Sequence, residues 1–359
     1  MEKKNLLEKK TLLAVLGGLI GVGAIILAVF GNPANMALCI ACFMRDIAGG
    51  LKLHSAPPVQ YIRPEILGII LGATITALIR KDFKATAGSS PATRFILGFI
   101  MMTGALIFLG CSFRMIIRMG AGDLNAWVGL IGFVAGVATG TFFLKKGYSL
   151  GKSQETKTQS GFIVPIVVLI ILGLSLTTTI FAVSKIGPGS MHAPVLISLA
   201  VGLGVGVIGQ LTRLCSTGAI RNVILAKDFN LLIVVGSFFG VYLIYNLVTG
   251  TFNPSFVGQP IAHTDTIFNI LGLFIFGFGG VLAGGCPFRQ LILAGQGSSD
   301  AAMTLLGLLM GAAFAHNFGF AAIAANPEVA GGVTQRGVIV VVIAIVALFV
   351  IALTNREKE

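Results

Sequence analysis

Charge is what this sequence has least of. Of its 359 residues 11% are Asp, Glu, Lys or Arg, against about a quarter in an ordinary soluble domain. Carboxylates are the scarcest, 13 Asp plus Glu beside 25 Lys plus Arg, and there are 4 histidines and 1 tryptophan. So few acids, with His54, His192, His263 and His316 scattered along the chain, leave no ligand spacing for a metal site. No metal and no cofactor is therefore expected. Also missing is any basic stripe interleaved with aromatic residues of the kind used on single strands. The net charge of +12 is accordingly not read as a nucleic-acid interface. The glycine-rich stretches are flanked by membrane-length apolar runs, which removes the strand-and-helix context of a phosphate loop. With no nucleotide site, ATP coupling within this chain is not expected. Finally, no polar stretch is long enough to make a soluble domain.

What remains is apolar. Hydrophobic residues make up 55% of the chain and the mean hydropathy is +0.95, more than one aqueous core can hide. Lipid must be part of the solvent. Runs near the roughly 20 residues needed to cross a bilayer lie at 12–30, 64–79, 95–110, 126–144, 162–184, 195–209, 231–249, 267–285, 302–322 and 337–353. The first follows Lys3, Lys4, Lys9 and Lys10 but lacks a small-residue cleavage site, so it reads as a retained helix rather than a signal peptide. With the N-terminus inside, 18 of the 25 basic residues fall in cytoplasmic segments (1–10, 80–94, 145–157, 213–227, Arg289 and the tail with Arg356 and Lys358). Arg45, Lys52, Arg63, Arg114, Arg118, Lys185 and Arg336 face outward. This asymmetry predicts an inner-membrane protein with both termini cytoplasmic, and membrane lipid accounts for its basic loops.

The chain also repeats itself. Gly110-Cys111-Ser112-Phe113-Arg114 returns as Gly285-Cys286-Pro287-Phe288-Arg289, and Gly120, Gly122, Ala126, Gly132 and Gly136 fall on Gly295, Gly297, Ala301, Gly307 and Gly311. Upstream, Leu38-Cys39 with Arg45-Asp46-Ile47 corresponds to Leu214-Cys215 with Arg221-Asn222-Val223. The expected organisation is a single membrane domain over 1–359. Within it, 12–144 is the first copy, 145–194 a linker plus an intervening span, 195–322 the second copy, and 323–359 a final span and tail. Four spans plus one is odd, so the second copy should enter the membrane upside down, an arrangement that places a substrate site between the copies. The segments carrying Cys39, Cys111, Cys215 and Cys286 are too polar to span and too apolar for free loops. They read as re-entrant half-helices. The predicted fold is all-α, polytopic, an inverted repeat whose half-helices form an hourglass with cysteines near its waist.

Local chemistry sharpens the picture. Pro287 suits the first position of a helix and Gly295 the left-handed residue that ends one, leaving Cys286 at a helix N-terminus, where backbone N–H groups favour an anion. Arg289 at i+3, and Arg114 likewise after Cys111, lie close to the cysteine's face; arginine at membrane depth needs a partner, which an anion, a carboxylate or a backbone carbonyl would supply. Arg45 and Arg221, six residues past their cysteines, lie off that face, and snorkelling topology anchors are the competing reading for them. Asn32-Pro33 reads as the cap and first turn of the helix carrying Cys39, whereas the local structure at Cys215 is open. Cys39 and Cys42 spell C-x-x-C, a redox pattern elsewhere; the repeat mate of Cys42 is Gly218, which sets it outside the duplicated design.

These residues, with 31–49 and Gln60-Tyr61-Ile62-Arg63-Pro64-Glu65, resemble the YeeE/YedE family of sulfur-compound transporters over almost the whole chain, and the YedE branch, labelled a selenium transporter, in particular. The resemblance implies import of a small inorganic selenium- or sulfur-containing anion, thiosulfate in the YeeE branch, handed along by S–H···S hydrogen bonds. Cys39, Cys111 and Cys286 would be relay thiols and Cys215 a fourth, with a sulfurtransferase or redox carrier as the cytoplasmic partner. Such a relay needs thiols that keep their protons, which burial in an apolar funnel favours. The expectation is a transporter rather than an enzyme; the rival from another class is a membrane thiol oxidoreductase using Cys39 and Cys42.

Overall fold

The structure is a computed structural model that describes residues 10–326, 329 and 331–356. Lys3, Lys4, Lys9 and Lys358, which contribute to the charge count above, lie outside them. Fifteen helices account for nearly all regular structure among the described residues. The only strands there are Thr86–Ala87 and Gln154–Glu155, paired antiparallel.

Ten helices are long: α1 (Lys10–Val29), α3 (Pro64–Ile79), α4 (Pro91–Phe108), α6 (Leu124–Lys145), α8 (Ile163–Thr177), α9 (Val195–Thr212), α11 (Asn230–Val248), α12 (Thr266–Leu282), α14 (Ser299–Asn317) and α15 (Gln335–Thr354). Each overlaps one apolar run, although α8 ends at Thr177, short of the run's expected end at 184. Their starts follow local chemistry. Pro64 and Pro91 occupy the first turns of α3 and α4, while Asp123, Ser298 and Thr334 cap α6, α14 and α15 with their side chains. Among the described residues eight helical stretches are long and apolar enough to cross a membrane; α3 and α8 are apolar but shorter. Side chains such as Leu196 and Val248, each 80% exposed, have no place in water and face lipid. The protein is an all-α, multi-pass membrane protein.

Four further helices have 9 to 11 residues: α2 (Ile40–Gly50), α5 (Ser112–Gly120), α10 (Ser216–Ala226) and α13 (Pro287–Gly295). At 1.5 Å per residue they reach about 14–17 Å, half of a hydrocarbon core. Every residue of α2 and of α5 is buried, so these helices are enclosed by protein rather than bathed in lipid. A one-turn helix, α7 (Thr158–Gly161), precedes α8.

The long helices interlock across the chain. The most extensive pairings are α6 with α12, α4 with α14, α3 with α9 and α1 with α11. Exchanging α1–α6 with α9–α14 turns each pairing into another member of the set. The same exchange relates α13 against α3 to α5 against α11, and α14 against α2 to α6 against α10. Close approach is enabled by glycine. A Cβ on Gly132 would collide with the Ile270 carbonyl oxygen of α12, and one on Gly307 with the Phe95 oxygen of α4; small residues of this kind let membrane helices touch backbone to backbone. α15 lies against α4, α6 and α12, and α8 against α3 and α13.

Candidate functional site: two cysteine pairs at short-helix termini

All four repeat-matched cysteines occupy the same structural position, the N-cap of a short helix: Cys39 on α2, Cys111 on α5, Cys215 on α10 and Cys286 on α13. Three reach it the same way. Leu109, Arg213 and Gly284 adopt left-handed backbone (φ 61°, 55° and 83°), ending or just following a long helix, and the cysteine stands two residues on. For Leu109 and Arg213 this conformation is uncommon and costs on the order of 1 kcal/mol, so the surrounding packing holds the break in place. Cys39 differs. The segment expected to be the first turn of its helix, beginning at Asn32-Pro33, is irregular, and α2 starts at Ile40. Asn32 instead spends its side chain on long-range contacts, donating to the Ala37 carbonyl (3.0 Å) and to Glu65 (2.9 Å) and accepting from the Ala193 N–H (2.9 Å). Gly295 also departs from expectation. It is the last helical residue of α13, where a Cβ would meet the Ile70 carbonyl oxygen at 2.6 Å, and the left-handed glycine is Gly297 (φ 108°).

The cysteines form two pairs. The Cys39 and Cys111 sulfurs are 3.7 Å apart, and Cys39 also accepts the Cys42 N–H at 3.3 Å. In the second pair the Cys215 sulfur accepts the Cys286 N–H at 3.3 Å and the Gly218 N–H at 3.2 Å. A sulfur thus performs the capping role that Ser or Asp usually fills. Two contacts join the pairs. The hydroxyls of Ser112 and Ser216, each adjacent to a cysteine, are 2.5 Å apart, and the rings of Phe113 and Phe288 lie 4.7 Å apart. All five cysteines are buried and free. Cys39 thus contacts the Cys111 thiol, while the Cys42 thiol donates to the Leu109 carbonyl and accepts from Arg114 Nη1 at 3.6 Å.

Arginine treatment differs between the pairs. Around Cys39 and Cys111 each guanidinium is engaged, with only Nη2 of Arg118 left without a partner. Arg45 and Arg63 share Asp46 (2.8 and 2.7 Å), and Arg118 binds Asp123 at 2.6 Å while covering the Phe108 ring. Arg45, 3% exposed, is a buried ion-pair member rather than a snorkelling anchor. Arg114 takes the backbone-carbonyl option, donating to Asn35, Leu109 and Ile261. Arg289, its counterpart beside Cys286, has a shielded Nη1 with no hydrogen-bond partner. Arg221 binds only the neutral Asn222 side chain, at 3.2 and 3.4 Å.

Sequence reasoning did not single out Ser112, Ser216 or the two histidines that the fold brings together. His54 and His316 lie 4.7 Å apart although 262 positions separate them in the chain, and nothing local to either signals the other. The serines carried one usable cue, direct adjacency to repeat-matched cysteines.

Residues 211–358, which carry Cys215, Cys286 and both of their helices, match the family model described as "Sulphur transport". No curated protein matches the chain. Over those residues the chain is similar to the sulphur transport family, and the match falls on a helical membrane architecture with duplicated cysteine-capped helices.

Proposed function

We propose that this transporter imports a small sulfur- or selenium-containing anion across the inner membrane, with both termini cytoplasmic. In this reading residues 12–144 and 195–322 are inverted copies. Their re-entrant helices form an hourglass whose waist is lined by Cys39, Cys111, Cys215 and Cys286. The observation that carries it is the chain of short contacts Cys39–Cys111, Ser112–Ser216 and Cys215–Cys286, which supplies buried polar hydrogens in an otherwise apolar interior. An anion leaving water loses its hydration, and a pathway must replace it with oriented donors. Four helix N-termini gather at these cysteines. Each contributes about half a positive charge, so together they offer roughly two charges, a match for a dianion, with the buried Arg114 beside Cys42 adding to them. Soft, polarizable sulfur suits a terminal sulfur or selenium atom of the cargo better than a hydroxyl would.

Selenium species and thiosulfate both fit, and the likeness of 31–49 and 60–65 to the selenium-labelled branch favours selenium. A sulfurtransferase or redox carrier would receive the cargo inside. The oxidoreductase alternative has less support, because the Cys39 sulfur also contacts Cys111, outside the C-x-x-C pair. Uptake of labelled selenite and of labelled thiosulfate, each measured in cells whose only candidate importer is this protein, tests the proposal. Accumulation of at least one is expected; accumulation of neither, with the protein present in the membrane, would overturn it.

A further inference from the structure

The two cysteine pairs are alike in backbone but not in charge, and the difference is confined to one side. Arg289 is the centre of it. The largest electrostatic influences on its guanidinium come from the Cys215 and Cys286 sulfurs and from two more cations, Arg213 and Arg221. Its Nη1 is shielded and unpartnered. In the first copy Asp46 neutralises Arg45 and Arg63; the position matched to Asp46 is Asn222, which cannot carry a compensating charge. The next acid along the chain, Asp228, accepts the Asn230 N–H at 2.9 Å. Among the described residues none of these three arginines makes an ion pair, and Arg213 and Arg221 act electrostatically on Arg289.

The same side is open. α2 is buried along its whole length, whereas α10, its counterpart, is buried only over Ser216–Ala219. Leu109 is 5% exposed, while a Cβ added at its counterpart Gly284 would meet nothing within 4 Å. Arg213 is exposed and Arg221 half-buried. The carbonyls of Pro260 and Ile261 reach Arg114 at 3.4 and 2.9 Å; Nη1 of Arg289, though shielded, has no such acceptor.

We propose that Arg213, Arg221 and Arg289 form an anion well at the Cys215/Cys286 mouth, built for a small tetrahedral dianion whose oxygens take the guanidinium hydrogens while a terminal sulfur or selenium contacts the thiols. The proposal rests on the transport reading for its cargo but not for its site. Oxygens are common to sulfate and thiosulfate, so both should bind; only the thiol contact separates them. Holding the cargo here keeps it from sliding back through the waist and makes its release the salt-sensitive step, because exposed charges are screened within a Debye length of about 8 Å at physiological ionic strength.

The test is equilibrium binding of radiolabelled sulfate and of thiosulfate to the purified full chain in lipid nanodiscs. Both should bind, and Arg213→Gln, Arg221→Gln and Arg289→Gln should each weaken both anions about tenfold or more, as expected for loss of one charge-assisted hydrogen bond. Arg336→Gln, which removes the same charge from an exposed site outside the cluster, should not. Arg289→Lys should retain more affinity than Arg289→Gln, which separates a role in binding from a role in folding. Unchanged affinity in Arg213→Gln and Arg221→Gln, or an equal loss in Arg336→Gln, would overturn the well. The two readings fail separately. Intact anion binding in the cluster variants alongside measurable uptake removes the well and leaves transport. Arginine-dependent binding in a protein that takes up neither anion leaves the well and removes transport.

Discussion

Ser112 and Ser216 make the shortest polar contact between the two cysteine pairs, 2.5 Å, and both are buried. Either hydroxyl left alone would be a buried donor without its acceptor. Thermal unfolding of Ser112→Ala, Ser216→Ala and the double variant should therefore show a coupling of about 1 kcal/mol; strict additivity would mean that the contact contributes nothing. Glu65 offers a second test. It is fully buried, its Oε1 accepts from Asn32 at 2.9 Å and from Ser198 at 3.1 Å, and its Oε2 has no partner. Glutamine keeps the accepting oxygen, so Glu65→Gln should unfold near the wild-type temperature, whereas Glu65→Ala strands two buried donors and should lose about 2–4 kcal/mol. The histidines set a pH dependence. In the loops preceding α3 and α12, burial lowers the pKa of His54 and His263 below the ordinary 6.5, and outweighs their hydrogen bonds to the Arg45 and Ile107 carbonyls, which act the other way. His263 is held as the neutral ring, donating Nε2–H to the Ile107 carbonyl at 2.7 Å and accepting the Asp265 N–H at 3.2 Å. The unfolded chain then binds protons that the folded chain refuses. Stability is complete above pH 6.5 and falls as pH drops below it. His263→Gln, measured by unfolding between pH 7.5 and 5 (values chosen to bracket about 6.5), should flatten that slope.

Among the elements, glycine decides how closely the long helices approach. Gly132 and Gly307 are repeat mates, and in each case the opposing surface is a backbone carbonyl that cannot rotate away. Gly132→Val and Gly307→Val should each reduce folded protein recovered from membranes and lower its melting temperature. Gly236→Ala, at a position whose added Cβ meets nothing within 4 Å, should be tolerated. The long helices were legible because apolar runs of bilayer length state both type and extent. The short ones were legible only through duplication: neither α5 nor α13 has a span's length, but the same Cys-x-Phe-Arg pattern twice at one spacing marks them. Boundaries set by distant contacts were not legible. Asn32-Pro33 has the local chemistry of a helix start, yet Asn32 is claimed by Glu65 and Ala193, far away in sequence, and α2 begins later. Arg45 shows the same limit. Its ion pair with Asp46 is local, but its burial depends on how α2 is enclosed, which no periodicity reports.

For the whole molecule, the interleaved pairings α3 with α9 and α1 with α11, and α6 with α12 and α4 with α14, mean that neither half presents a finished surface without the other. A half-chain should not insert stably, and co-expression of the two halves should recover more folded protein than either alone. The interlocking also brings four helix N-termini and two thiol pairs together, and the proposed transport depends on that convergence. The most direct measurement is uptake of the transported anion by cells carrying Cys111→Ala or Cys286→Ala, with membrane levels of each protein quantified in parallel. The account predicts that either substitution alone reduces uptake to background while the protein remains in the membrane. Undiminished uptake in both variants would contradict it.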